Sequence, residues 1–230
     1  MAAQEDVSDD DSQFFRLLAM HKTNLESARA RKGEIPTDHE DRETQIEQYR
    51  IQYESIQREK KGGFEKTRLQ STIIGEPYLP SVASIRDLSK IIIRKLMLET
   101  HHRGRYMLLR VAAPPVRMSA VITVVEDEVG GAATFSLYQQ EPESVRPAED
   151  ILKEGSVFLL KEPYFKVTGG GGYGIRVDHP TDVAFLSDDD PRVPDEWRLE
   201  SENIKKTADE WKLEGNALMG AGKHREAIEM

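Results

Sequence analysis

MSAVITVVEDEVGGAATFSLY, residues 118–138, decides the fold class. In its second half Ala133, Phe135 and Leu137 alternate with Thr134, Ser136 and Tyr138, a period of two that predicts a strand with one buried face. The first half, residues 118–126, is rich in Val and Ile and predicts a second strand. Between them Gly130 and Gly131 supply the positive φ that a tight hairpin turn requires. Further β-rich runs lie at residues 106–111, 157–160 and 173–186. Between the third and fourth runs, Pro147 opens a short helix, Ile151 and Leu152 give it an apolar edge, and Gly155 closes it.

Three strands, a short helix and two strands make the element order of an OB-like, five-stranded Greek-key β-barrel, expected over residues 84–187. Pro114, Pro115 and Pro163 then belong in loops or at edges. The module is expected to begin with a helix: Ser84 and Asp87 form a cap pattern, followed by Ile85, Leu88, Ile91, Ile92, Leu96 and Leu98, and Gly104 ends the segment. Two amphipathic helices should precede it in an N-terminal, coiled-coil-like region, residues 1–61. The first, over 9–32, carries Phe14, Phe15, Leu17, Leu18 and Leu25 and stops at Ile35-Pro36. Thr37 and Glu40 form a capping box for the second, whose Ile46, Tyr49, Tyr53 and Ile56 repeat like a coiled-coil seam. So short a seam needs a partner, in the same chain or another. Gly62 and Gly63 open a linker at 62–83, an acidic linker at 188–203 follows the barrel, and the last helical segment begins at 204. The class is α+β.

Bulk properties narrow the function. The 230 residues are 38% hydrophobic and 32% charged, with a formal net charge of -9 that opposes general affinity for nucleic acid. No cysteine is present, so disulfides, thiolate zinc sites and cysteine nucleophiles are absent, and a reducing compartment, cytoplasmic or nuclear, is expected. The acidic start has no apolar signal core, no run is long enough to span a membrane, and a soluble protein is expected.

Trp211, Gly215, Leu218, Gly222 and Ala227 fall at tetratricopeptide spacing, in which a bulky and a small residue on one helix receive the next. The match implies a protein-binding helical array, with these five residues as structural determinants. Met230 comes before the aromatic that normally follows Ala227, so the expected hairpin is incomplete and the chain reads as an N-terminal fragment or a truncated product. LMLETHHRGRYMLLR (96–110) and GSVFLLKEP (155–163) resemble the N-terminal region of fungal proteins that join tetratricopeptide repeats to a SET domain. That resemblance implies a protein-lysine methyltransferase using S-adenosylmethionine in full-length relatives, with catalysis downstream. For this chain it implies a non-catalytic interaction segment, with no catalytic, cofactor or metal residue to carry over.

Gly169, Gly171 and Gly174 match G-x-G-x-x-G, but Ile175-Arg176-Val177 continues as a strand where a phosphate site needs a helix N-terminus. The pair His101-His102, with Asp178 and His179, has poor spacing for a metal, and exposed imidazoles at a helix end are expected. Asp188 to Asp190 lack the glycine and distal glutamate of a calcium loop and read as a solvated turn. One region opposes the overall charge: Arg86, Lys90, Arg94, Lys95, Arg103, Arg105, Arg110 and Arg117 stand against only Asp87 and Glu99. On an OB-like face, Arg103, Arg105, Arg110 and Arg117 with Tyr106 and Tyr138 would suit single-stranded nucleic acid. The competing reading is that the acidic N-terminal helices or the Asp188 cluster neutralise them within the chain.

Overall fold

Strand propensity in the middle of the chain resolves into ten strands among the described residues: β1 (Ser89–Lys90), β2 (Thr100–His101), β3 (Arg105–Val111), β4 (Val116–Arg117), β5 (Val121–Asp127), β6 (Ala132–Leu137), β7 (Val157–Lys161), β8 (Tyr164–Val167), β9 (Tyr173–Val177) and β10 (Val183–Phe185). Helix α1 (Arg42–Lys61) precedes them and α2 (Ala208–Gly220) follows. The computed structural model describes residues 16, 19–20, 22–23, 26–61, 77–168, 172–198 and 208–220. Residues 1–197 and 198–230 form separate units, and α2 belongs to the second.

The sheet runs β10-β7-β3-β5-β6-β9-β8-β2, with β1 beside β3 and β4 beside β5. This open path has ends at β10 and β2, so the expected closed five-stranded barrel is corrected to a larger open sheet in a mixed α/β fold. The reason lies in strands with weak local patterns. β8 is wedged between Pro163 and a glycine run, and β9 pairs in parallel with β6, from Thr134↔Gly174 to Leu137↔Val177, a partnership that no local pattern announces.

Alternate residues of six strands converge on one core. Met107, Leu109 and Val111 of β3 meet Val121 and Val125 of β5, Phe135 and Leu137 of β6, Phe158 and Leu160 of β7, Phe165 of β8, and Ile175 and Val177 of β9. Phe135, Phe158 and Phe165 are fully buried, and each such side chain contributes about 1.5–3 kcal/mol on transfer from water. The opposite face is covered too. Val124 of β5, with Ala113, Val116 and Ala132, packs against Ile46, Tyr49, Tyr53 and Ile56 of α1. Leu108, Val157 and Leu159 pack against Val193 and Trp197. Burial on both faces explains why β3, β5 and β7 read as nearly continuous apolar runs, while β6 alternates.

The stripe on α1 therefore finds its partner within the chain. Its start also moves: Asp41 Oδ1 accepts the Thr44 N–H at 2.9 Å, so Asp41 is the cap, and the expected box at Thr37 and Glu40 lies ahead of the helix. Half of the helix expected over 9–32, including Phe14, Phe15, Leu17, Leu18 and Leu25, lies outside the described residues. Its last turn, 26–30, is helical and buries Ala28.

The expected helix over 85–98 is replaced by short pieces. Ser84 Oγ accepts the Arg86 N–H, but only the 3-10 turn Ile85–Asp87 follows. β1 is then captured by β3, with Ser89 N–H to Gly104 O at 3.0 Å and Ile91 N–H to Tyr106 O at 2.9 Å, and a second 3-10 turn covers Ile93–Lys95. Ile93, Leu96 and Leu98 still enter the core, through turns and not along one helix face. The segments expected as linkers contribute as well: Ser81, Val193 and Trp197 are buried.

In the β5–β6 turn, Gly130 has φ 80°. The Asp127 carboxylate accepts the N–H groups of Ile93 at 2.7 Å, Gly131 at 2.8 Å and Val129 at 3.2 Å. A Cβ at Gly131 would stand 3.0 Å from Asp127 Oδ2 and 3.1 Å from Ile93 Cβ, so this glycine permits the close approach.

Candidate functional site

The four arginines singled out from sequence do not form one patch. Arg110 reaches out from β3 to Glu126 on β5, with Nε at 2.6 Å from Oε1, and its guanidinium lies 5.1 Å from the Trp197 ring centre. The same buried carboxylate receives Arg42 from α1, which makes Glu126 a junction between helix and sheet. Arg117 is engaged by Glu143 at 3.3 Å and by the Arg146 carbonyl at 3.2 Å. The counter-charges are neighbours within the sheet domain, Glu126 and Glu143, and not the Asp188 cluster.

Arg103 and Arg105 lie elsewhere, on the rim of an open groove of about 710 Å³. Lys90 and Lys95 complete its cationic rim, while Ile91, Ile92 and Met97 give it an aliphatic lining. Two rim cations have acidic neighbours: Lys90 Nζ is 2.8 Å from Glu128, and Arg103 Nη1 is 2.6 Å from Glu162. Lys95 and Arg105 are exposed and make no ion pair among the described residues.

The groove wall is built by the turn from Leu96 to Gly104. His102 is buried; its Nδ1 donates to the Pro163 carbonyl at 3.1 Å, and its Nε2 accepts the Met97 N–H at 2.9 Å. Because a carbonyl only accepts and an amide only donates, these contacts select the neutral tautomer protonated at Nδ1. Burial holds the His102 pKa below the ordinary histidine range. His101 faces the Tyr78 ring at 4.4 Å and the Tyr164 ring at 6.0 Å. Exposed imidazoles at a helix end are thus corrected to one buried histidine and one packed among aromatic rings. The two point into different contacts, and among the described residues no group of three metal-ligating side chains converges.

Two carboxylates brace this wall from turns in the left-handed region, Glu99 at φ 49° and Glu162 at φ 46°. Such backbone costs on the order of 1–2 kcal/mol for a non-glycine residue. Glu99 accepts the Tyr164 hydroxyl at 2.9 Å and the Val167 N–H at 3.0 Å, and burial with that acidic neighbour pushes Tyr164 up to about 12. Glu162 accepts the Gly104 N–H at 2.9 Å as well as Arg103. Burial raises the Glu162 pKa, but the Gly104 N–H and Arg103 outweigh it and leave the group below its usual range.

A strap of chain crosses nearby. Tyr78 N–H donates to Asp178, Ser81 N–H donates to Asp182 Oδ1 at 2.9 Å, Lys161 donates to the Ser81 carbonyl at 3.2 Å, and Arg103 donates to the Leu79 carbonyl at 3.2 Å. His179 Nε2 bonds the Tyr78 carbonyl, so it too is committed to structure.

Of the remaining sequence candidates, Gly169 and Gly171 lie outside the described residues, and Gly174 sits in β9. The Asp190 N–H closes the 188–190 turn by donating to the Ser187 carbonyl, and its carboxylate accepts from Arg192. Trp211, Gly215 and Leu218 lie on α2, and Gly222 and Ala227 fall outside the described residues. Sequence reasoning put Lys90 and Lys95 in one basic island with Arg103 and Arg105, but named only Arg103, Arg105, Arg110 and Arg117 as the patch. The apolar spacing of residues 85–98 suggested a helix that would have dispersed the lysines.

No family model matches the chain. A protein from Gibberella zeae named methyltransferase is 39% identical to it over 166 residues, which cover 72% of this chain and 23% of that protein. The chain is thus related to a methyltransferase-named protein and spans about a quarter of its length.

Proposed function

We propose that this chain is the non-catalytic interaction segment of a protein of the tetratricopeptide and SET type, with methyl transfer carried out by a domain beyond Met230. The observation that carries the reading is the relationship to a methyltransferase-named protein, matched over most of this chain but under a quarter of that relative's length. The described polar groups support it. The buried groups Glu126, Asp127 and His102 are bound to arginines, backbone amides and carbonyls, contacts that serve a scaffold. In this reading the sheet domain is the scaffold, and α2 opens a partner-binding helical array through Trp211, Gly215 and Leu218, continuing to Gly222 and Ala227. The protein works in the cytoplasm or nucleus.

A rival reading places single-stranded nucleic acid on Arg103, Arg105, Arg110 and Arg117. The engagement of Arg110 by Glu126 and of Arg117 by Glu143 weighs against it.

The test compares residues 1–230 with the product of a longer transcript in a radiolabelled S-adenosylmethionine assay on a protein-lysine substrate. The longer product is expected to transfer methyl groups and the 230-residue chain to be inactive. Methyl transfer by the short chain itself would overturn the reading.

A further inference from the structure

The groove between β1 and β2 has three properties that together specify a ligand. Its rim is cationic, with Lys90, Lys95, Arg103 and Arg105, and no acidic side chain is among its lining residues. Its lining is aliphatic, from Ile91, Ile92 and Met97. It is bordered by two strands that each have one sheet partner among the described residues, β1 on β3 and β2 on β8. The N–H groups of Ser89 and Ile91 both point to β3, so the intervening Lys90 turns its N–H away from β3.

From these features we infer that the groove binds an extended acidic peptide in which carboxylates alternate with aliphatic side chains. Such a chain places successive side chains on opposite faces, so carboxylates can meet the cations while aliphatic groups cover Ile91, Ile92 and Met97. Its backbone can pair with the outward edge of β1.

Two observations favour a peptide over nucleic acid. Glu128 and Glu162 temper two of the four cations, leaving a charge suited to a few carboxylates and not to a continuous phosphate backbone. Stacking surface is scarce as well, because the His101 ring already packs between Tyr78 and Tyr164. The inference deepens the interaction-segment reading and rests on it, but its test measures no methyl transfer, so either can fail alone.

The experiment is fluorescence polarisation on the full 230-residue protein with a fluorescein-labelled octapeptide of alternating Glu and Val. Comparison probes are the octapeptide with Lys in place of Glu and an oligo-dT of similar length. Saturable binding of the acidic probe is expected, weakening with salt, with amide shifts in an NMR titration centred on residues 90–105. Lys95→Glu with Arg105→Glu should weaken it by about tenfold or more, and Lys95→Gln with Arg105→Gln by less. Both side chains are exposed, so unchanged thermal unfolding should show that the fold is kept. Equal binding of the Lys octapeptide, preference for oligo-dT, no binding of the acidic probe, or indifference to the substitutions would each overturn the inference.

Discussion

Glu126→Gln replaces a carboxylate that joins the helix to the sheet. The Glu126 side chain is 4% exposed, Arg42 approaches it from α1 and Arg110 from β3, and Arg110 also stacks on Trp197. Glutamine keeps the shape but removes the charge, and its amide nitrogen turns a donor toward a guanidinium that can only donate. Removing one partner from a buried ion pair costs about 3–5 kcal/mol. Arg42 and Arg110 are 39% and 25% exposed, so water recovers part of their solvation, and roughly 2–3 kcal/mol is the expected loss. For a domain of this size that lowers Tm by about 4–12 °C. Urea unfolding followed by tryptophan fluorescence measures the loss, and a double-mutant cycle with Arg42→Met isolates the helix contact. A change within about 0.5 kcal/mol of wild type, or strict additivity in the cycle, would refute the junction.

Tyr49→Phe should cost about 1 kcal/mol, because the hydroxyl serves the carbonyls of Pro114 and Ile122, both at 2.8 Å. Ile51→Ala on the exposed side of the same helix should stay within about 0.5 kcal/mol, and equal losses would contradict the assigned face. Gly174→Ala places a Cβ 3.1 Å from the Thr134 carbonyl of β6 and 3.0 Å from Thr168 Cγ2, so a loss of about 1–3 kcal/mol is expected. Gly172→Ala, with its nearest contact at 3.7 Å, should be milder, and the reverse order in thermal unfolding would be inconsistent with the β6–β9 pairing. For His102 the folded pKa lies below the unfolded value of about 6.5, so in the window between them the unfolded chain binds more protons. Stability is therefore lost as pH falls from about 6.5 toward the folded pKa, and His102→Asn should flatten the Tm profile there. His39 and His101 are depressed by burial in the same sense, so the slope should shrink without vanishing; an unchanged slope would count against a neutral, buried His102.

Much of the sheet was legible wherever neighbours in sequence share one environment. Ala133, Phe135 and Leu137 announce an inward face, and all three are buried. Gly130 marks the hairpin because its φ of 80° is a local requirement. The i, i+3, i+4 stripe of α1 named the residues that meet the sheet, although not where the helix begins. Asp41 and Thr37 are both able caps, and Asp41 is the one that accepts the Thr44 N–H. Residues 85–98 show the limit most clearly. Their apolar spacing suits a helix, yet β3 offers Ser89 and Ile91 a backbone partner, and the core takes Ile93, Leu96 and Leu98 from turns.

The candidate groove was hidden for the same reason. Its cations stood in the sequence as a basic island, but which of them share a rim depended on β1 and β2 coming together at the edge of β3 and β8. Arg110 and Arg117 were drawn off by Glu126 and Glu143, partners more than fifteen positions away in the chain. Periodicity, turn chemistry and composition belong to the chain, because they arise between residues a few positions apart. The open strand order of the sheet, the parallel β6–β9 pairing and the grouping of charges belong to the tertiary structure, because they follow from contacts whose energy appears only when distant segments are buried together.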